Sequence, residues 1–217
     1  MKYKVFMFLL FFLLVFIVDH VYANSYFPLQ GKLIVIDVGH GGIDPGTSSG
    51  DILEKDINLD ISLILESELT KKGASVILTR DGDYDLSSPN AIWRKKSDFD
   101  NRIMLINESK ADLYLSIHLN YLTDSKYSGG QIFYSEKNEA NKKIAEAIQL
   151  AFNDVLESNR VVKNVPDGLY MYDKLQIPGV LVECGFLSNY QEKIKLTTVE
   201  YQKLIAEVIT TGVINYF

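Results

Sequence analysis

Apolar runs and amphipathic stretches alternate along most of the chain, from about residue 25 to the C-terminus. The apolar run Leu33–Ile36 is rich in β-branched residues and predicts a buried strand. In the next stretch apolar residues recur at helical spacing, which predicts a helix over Glu54–Lys72 that ends before Gly73. A second apolar run, Ser75–Thr79, predicts another strand, so the pattern begins with a strand–helix–strand unit.

The same alternation predicts the remaining elements. Further strands are expected over residues 113–117, 131–135 and 179–183, further helices over residues 99–109, 139–156 and 198–214, and a surface loop over residues 80–98. Strands that alternate with helices of this length are typical of a parallel sheet covered by helices. We therefore predict an α/β fold in a single domain, with a mostly parallel twisted sheet flanked by helices on both faces.

The first residues form a different pattern, which indicates export. Lys2 and Lys4 precede an uncharged apolar run of 14 residues, Val5–Val18. As a helix this run would span about 21 Å, less than the roughly 30 Å of a membrane's hydrocarbon core. Residues 1–23 are therefore predicted to be a signal peptide with Ala23 just before the cut, the alternative being an uncleaved signal anchor that touches the membrane. In both cases the domain that follows, residues 32–217, is expected to act outside the cytoplasm.

The amino-acid composition argues against several classes of function. The chain has 217 residues, 22 Lys and Arg against 28 Asp and Glu, and a net charge of −6, so no broad basic surface suggests nucleic-acid binding. A single cysteine excludes an internal disulfide framework and a thiolate zinc cluster. Of the three histidines, His20 belongs to the export segment, which leaves His40 and His118.

These two histidines both lie where a predicted strand ends. His40 follows the first strand in a glycine-rich segment, and His118 directly follows the strand over residues 113–117. Ligands of open α/β sheets bind at the carboxyl ends of strands, so the two imidazoles are candidates for a shared metal. The alternative is that each histidine is satisfied by local hydrogen bonds.

A catalytic zinc usually takes three protein ligands and keeps a fourth position for water, so two imidazoles need a carboxylate beside them. Glu54 is the attractive candidate because it follows the glycine-rich segment and begins a predicted helix. Acidic residues, however, favour the first turn of any helix. The residues alone leave Glu54, Asp56 and Asp44 open.

In the C-terminal half, Glu183 is a clearer candidate for a functional carboxylate than Glu54. Alternation along its strand places it on the face of Leu181, which a helix should cover. Burial of a carboxylate raises its pKa toward the range of a general base. The alternative is a salt-bridged glutamate at a sheet edge. The neighbouring Cys184 is interpreted as a packed core thiol.

Several motifs together resemble one family. They are Ile36–Gly42, Asp44–Gly46, Glu54–Lys55, Ser116–Asn120 and Val182–Asn189. In this order they resemble the zinc-dependent N-acetylmuramoyl-L-alanine amidases of the amidase 3 type, and the likeness extends from about Lys32 to the C-terminus. Val38 departs from the family pattern, which usually has proline after the aspartate, but this change removes no ligand.

The resemblance implies a set of site residues. Zinc ligands are carried over onto His40, Glu54 and His118, and the catalytic glutamate onto Glu183. Asn120 is two residues beyond His118 and is a candidate for orienting a ligand or the substrate, with a purely structural asparagine as the equal alternative.

The resemblance also implies the reaction, which is cleavage of the amide between N-acetylmuramic acid and the L-alanine of the peptidoglycan stem peptide. The absence of a wall-binding repeat or autoinhibitory insert, and the segment Lys95–Asn120, make the chain most similar to the germination-specific amidases that act on the spore cortex. Those enzymes allow a muramic lactam to form later. The expected location is the cell wall, including the forespore intermembrane space or cortex, with an accessory activator as a candidate partner.

Two other functions are compatible with the same pattern. One is a catalytically silent peptidoglycan-binding or activator protein on this fold, which is disfavoured because all four key positions are filled. The other is a different zinc peptidase of the wall, although the His-Glu-x-x-His helix of common metalloproteases is absent.

Overall fold

The computed structural model describes residues 6–14, 26–166 and 168–217. Residues 6–14 are helical and exposed. The lysines at positions 2 and 4 and the expected cleavage site at Ala23 lie outside the described residues, so cleavage stays a prediction. Within the described ranges, no helix is both long enough and apolar enough to cross a membrane.

The body of the protein consists of eight strands and five helices in the described part from residue 26 onward. The strands are β1 Leu33–Val38, β2 Ser48–Ser49, β3 Ile52–Leu53, β4 Ser75–Leu78, β5 Leu113–Asn120, β6 Gln131–Tyr134, β7 Lys163–Asn164 and β8 Gly179–Phe186. The helices are α1 Glu54–Lys71, α2 Arg94–Glu108, α3 Glu139–Leu156, α4 Tyr190–Leu196 and α5 Val199–Tyr216.

Six strands form one sheet in the order β4-β1-β5-β8-β6-β7, and β2 and β3 form a small hairpin. The pairs β4–β1, β1–β5 and β5–β8 are parallel, whereas β6 runs antiparallel to β8. Because β1, β5 and β8 run side by side in the same direction, their carboxyl ends meet at one edge of the sheet.

Helices cover both faces, as the α/β prediction requires. On one face α1, α3 and α5 pack on alternate residues of the central strands, such as Ile34, Leu115 and Val182, in the main core. On the other face α2 and the turn around Met171 cover a smaller cluster that includes Val35 and Tyr114. The fold class is therefore confirmed.

Some element boundaries differ from the prediction. The helix α2 begins at Arg94 rather than at 99, so the predicted loop over residues 80–98 is too long. The inner face of this helix includes the buried charged residues Asp98 and Arg102, so its first turn lacks the apolar period that marks a helix. The strands β5 and β8 extend three residues further than expected, to Asn120 and Phe186.

Candidate metal centre and active site

His40 is held at the end of β1 in an unusual backbone conformation. Its φ is +61°, in the left-handed region that residues with a side chain seldom adopt. Its imidazole Nδ1 lies 3.0 Å from Asp44 Oδ2, within a tight turn closed by backbone hydrogen bonds between Gly41 and Asp44. Asp44 thereby orients the ring so that Nε2 faces Glu54 Oε1 at 3.2 Å.

Glu54 begins α1 and is almost fully buried at 3% exposure. Its Oε2 accepts a hydrogen bond from the Thr47 backbone N–H at 2.8 Å, and its Oε1 accepts one from the Leu119 backbone N–H at 3.0 Å. Asn58, one turn further along α1, donates its side-chain amide to Oε1 at 3.3 Å. These three donors fix the carboxylate between the loop after β1 and the end of β5.

His118 approaches from β5, with Nδ1 3.0 Å from Glu54 Oε1. The close approach depends on Gly39, because a Cβ at that position would lie 2.5 Å from His118 Cε1 and 2.6 Å from the backbone oxygen of Ile117. The rings of His40 and His118 meet edge to face, with centroids 4.9 Å apart.

The structure brings the two histidines and Glu54 into one cluster. One donor atom from each of His40, Glu54 and His118 lies within 4.8 Å of the others, the only group of this kind found in the described residues. Two imidazole nitrogens and one carboxylate oxygen form a donor set that suits zinc. Of the other carboxylates left open by the sequence, Asp44 lies behind His40, and Asp56 is exposed and outside the cluster.

The charges of this cluster also favour a cation. Burial lowers the pKa of His40, but its hydrogen bonds to Asp44 and Glu54 outweigh this and raise the pKa to about 9. Burial works against the charge of Glu54 as well, yet the two histidines hold the pKa of its carboxyl well below the usual range. Metal binding at this cluster would therefore compete with the proton of His40.

Glu183 lies on β8, directly beside His118 in the parallel register. Its Oε2 is inaccessible to solvent and has no hydrogen-bond partner, and none of the ion pairs among the described residues includes it. Burial and the nearby charge of Glu54 raise its pKa to about 8, although His40 partly opposes this. Because β8 is an interior strand, the alternative of a salt-bridged glutamate at a sheet edge is wrong.

Asn120 is the last residue of β5 and is half-buried. Its carbonyl oxygen accepts a hydrogen bond from the Leu187 backbone N–H at 2.9 Å, which ties β5 to the end of β8. It lines the groove that also contains Glu54 and His118. The substrate role given to its side chain stays a prediction.

A buried polar network beneath the cluster was missed by the sequence reasoning. Arg102 on α2 donates to Asp37 Oδ1 at 2.8 Å, to the Val38 carbonyl at 2.6 Å and to the His40 carbonyl at 2.7 Å. The Nε of Arg102 also donates to Asp98, four residues earlier. Arg102 thus holds the turn that carries His40. An Asp and an Arg four residues apart on the inner face of α2 are the sequence signal that could have indicated it.

Two cavities adjoin the cluster and share His40, His118 and Glu183. The first, about 270 Å³, is walled mainly by aromatic and aliphatic side chains from Phe99, Leu181 and the turn Leu169–Tyr172. That turn, together with α2, covers the face on which Leu181 and Glu183 lie, where a helix alone was expected. The second, about 340 Å³, is walled mainly by polar groups.

Comparison with known proteins shows which family the sequence matches. Residues 34–215 match the sequence profile described as N-acetylmuramoyl-L-alanine amidase. Over 217 aligned residues the chain is 39% identical to the germination-specific N-acetylmuramoyl-L-alanine amidase of Bacillus subtilis (strain 168), covering 95% of this chain and 91% of that protein.

Solved structures are similar as well. The CwlD amidase of Clostridioides difficile, in a structure with the GerS lipoprotein, has a TM-score of 0.81 and 39% identity, covering 86% of this chain and 98% of that one. An N-acetylmuramoyl-L-alanine amidase from Clostridium difficile 630 has a TM-score of 0.74 and 31% identity, covering 86% and 97%. The profile match includes the three residues of the cluster and the neighbouring Glu183.

Proposed function

The chain belongs to the N-acetylmuramoyl-L-alanine amidase family, and from this membership we propose that it removes stem peptides from the peptidoglycan of the spore cortex. The family's reaction is hydrolysis of the amide between N-acetylmuramic acid and L-alanine. Support for the cortex comes from the similarity over nearly the whole chain to a relative named as germination-specific. Muramic acid freed of its peptide is the precursor that a muramic lactam needs.

The metal of the site is zinc in this proposal, with His40, Glu54 and His118 as its ligands. The observation that carries it is the convergence of three donor atoms within 4.8 Å. The donor set matches that of catalytic zinc sites, which keep a fourth position for water. Asp44 supports His40 as carboxylates often support zinc-binding histidines, by accepting the proton of the other ring nitrogen.

Glu183 is the general base and then the general acid. When bound, zinc acidifies a water molecule and polarises the scissile carbonyl. Glu183 takes a proton from the water that attacks the lactyl carbonyl carbon and delivers it to the departing amine of L-alanine. The products are the muramic acid carboxylate and a peptide with a free amino terminus. Placement beside His118, with a solvent-inaccessible Oε2, supports this role.

The protein acts outside the cytoplasm, since peptidoglycan is its substrate. We propose that residues 1–23 direct export and that residues 32–217 form the catalytic domain. The solved CwlD amidase structure includes the GerS lipoprotein, which supports an accessory protein as a partner of this chain too.

Digestion of purified cortex peptidoglycan tests the proposal. We expect new amino ends on L-alanine, no new reducing sugar ends, one zinc per chain and complete loss of activity with a chelator. New amino ends on another residue would indicate a peptidase instead. Sedimentation with peptidoglycan without any cleavage would support the silent binding protein, and vegetative wall digested as fast as cortex would contradict the cortex assignment.

A further inference from the structure

The groove at the metal cluster has two unlike sides, which meet at Glu183. The side toward the turn Leu169–Tyr172 is aromatic and aliphatic, and the side toward Asn120 is polar. A substrate whose scissile bond lies at Glu183 must therefore place one half on each side. Unlike walls of this kind select the direction in which an unsymmetrical substrate binds.

Lys95 gives the polar side a positively charged side chain. It is the one lysine or arginine among the described residues that line this side. It lies in the first turn of α2 with 64% of its side chain exposed, and its Nζ is 3.2 Å from Asp44 Oδ2. Its neighbours Arg94 and Lys96 are directed elsewhere, to Asp85 at 2.8 Å and Asp100 at 2.6 Å.

The contact with Asp44 does not use all the N–H donors of the Lys95 ammonium. A lysine carries three N–H donors, and the contact with Asp44 uses one of them. Asp44 in turn already faces the His40 Nδ1 and accepts the Gly46 N–H. An added anion at the mouth of the groove can therefore be bound by Lys95 without taking Asp44 from His40.

The two halves of the substrate differ in charge. This step rests on the proposed amidase function. On one side of the scissile amide lies the uncharged sugar, and on the other lies the stem peptide, whose second residue carries an α-carboxylate unless it is amidated. We propose that Lys95 binds this carboxylate, so that the peptide lies along the polar side and the sugar against the aromatic side. Lys95 is then a residue that determines specificity for the free carboxylate over the amide.

The test uses two soluble muropeptides that differ only in whether the α-carboxyl of the second stem residue is free or amidated. Replacement Lys95→Gln should lower kcat/KM for the free carboxylate about three- to tenfold, the range expected for an exposed charge-assisted contact. The same variant should lower kcat/KM for the amidated substrate by a clearly smaller factor, since that substrate has no charge for Lys95 to bind. Charge reversal, Lys95→Glu, should invert the preference between the two substrates.

Lys142→Gln is the matched control. Lys142 is similarly exposed at 58% but lies on α3, paired with Glu146 and away from the groove. It should leave the ratio of the two kcat/KM values unchanged. Equal losses on both substrates in Lys95→Gln, or no loss on either, would overturn the role of Lys95 while the amidase function stands. Failure of the wild-type protein to release L-alanine amino ends from either muropeptide would instead overturn the proposed function.

Discussion

His118 and Glu183 are register partners on the adjacent parallel strands β5 and β8. Side chains at paired positions of neighbouring strands project to the same face of the sheet, so a proposed metal ligand and a carboxylate are held side by side by the backbone hydrogen bonds of the two strands. The arrangement places the proposed base next to the proposed metal site without any loop between them. Rigid strands are suited to such a constellation because catalysis depends on orientation.

The first prediction concerns the base. Glu183→Gln keeps the shape of the side chain but cannot accept and return a proton. We expect kcat to fall about 10²- to 10⁴-fold with KM little changed, and zinc content to stay at one per chain. Glu207→Gln, an exposed change on α5 beside Lys203, is the control and should retain wild-type kcat. A Glu183→Gln protein with wild-type kcat would refute the assignment.

The second prediction concerns the pKa of Glu183 in the metal-free protein. Its folded-state pKa of about 8 exceeds the ordinary value of 4.5, so between these pH values the folded state keeps a proton that the unfolded state releases. The contribution of Glu183 to the free energy of unfolding of the wild type should therefore fall as pH rises from about 4.5 to about 8, by at most about 1.4 kcal/mol per pH unit.

Urea unfolding in a chelator at several pH values provides the measurement. Glu183→Gln lacks the titrating group, so its stability relative to wild type should increase over that pH range, while His40 titrates in both proteins. A difference that stays constant with pH would contradict the raised pKa. A bound metal would add positive charge and lower this pKa, as the proposed role of Glu183 as a base near neutral pH requires.

The third prediction concerns Gly39. A Cβ there would lie 2.5 Å from His118 Cε1 and 2.6 Å from the Ile117 carbonyl oxygen, and the backbone contact cannot move aside cheaply. Gly39→Ala should therefore displace His118 and weaken zinc binding at least tenfold, measured by competition with a chelating dye. Gly82→Ala is the matched control, since its nearest contact is an ordinary 3.4 Å to Tyr84. Equal zinc affinity in both variants would show that the close approach of Gly39 to His118 is not needed for zinc binding.

The fourth prediction concerns the network beneath the site. Arg102→Met leaves the carboxylates of Asp37 and Asp98 buried without their partner. Loss of one partner from a buried ion pair costs about 3–5 kcal/mol, so urea unfolding should show a decrease of this size in the free energy of unfolding. Arg102→Lys keeps the charge but loses the forked contacts to the Val38 and His40 carbonyls, and should be intermediate. Wild-type stability in Arg102→Met would contradict this account.

The sequence pattern predicted the regular elements well where one face is apolar. Helix α3 has the predicted bounds because its inner face repeats isoleucine and alanine at helical spacing. The hairpin of β2 and β3 was missed because strands of two residues are too short to show alternation. The start of α2 was missed because Asp98 and Arg102 occupy its inner face.

Some residues of the candidate site could likewise be predicted from the sequence, and others could not. His40 and His118 could be placed at strand ends from local pattern, because parallel strands share one edge for their carboxyl ends. The choice of Glu54 over Asp44 required either the family resemblance or the structure, since both carboxylates lie close to His40 in the chain. The spacing of Asp98 and Arg102 could have indicated their pair on α2. The contacts of Arg102 with backbone carbonyl oxygens could not be found from pattern alone, because that turn lies 62 and 64 residues away.

The last prediction concerns metal removal. The three proposed ligands come from the ends of β1 and β5 and the start of α1, so bound zinc should restrain the segment between His40 and Glu54. The main core contains none of the three ligands and should keep the domain folded without metal. Chelation should therefore abolish activity while the far-ultraviolet circular dichroism spectrum persists. Amide hydrogen exchange should accelerate over residues 41–53 but not at Leu115 in the centre of β5.

Zinc should in turn raise the melting temperature, because ligand that binds the folded state at 100 times its Kd adds about 2.7 kcal/mol of stability. His118→Ala removes one ligand and should abolish both the activity and most of this zinc-dependent gain. A wholly unfolded apo protein would show that the core is insufficient, and a His118→Ala protein with the full zinc response would place the metal elsewhere.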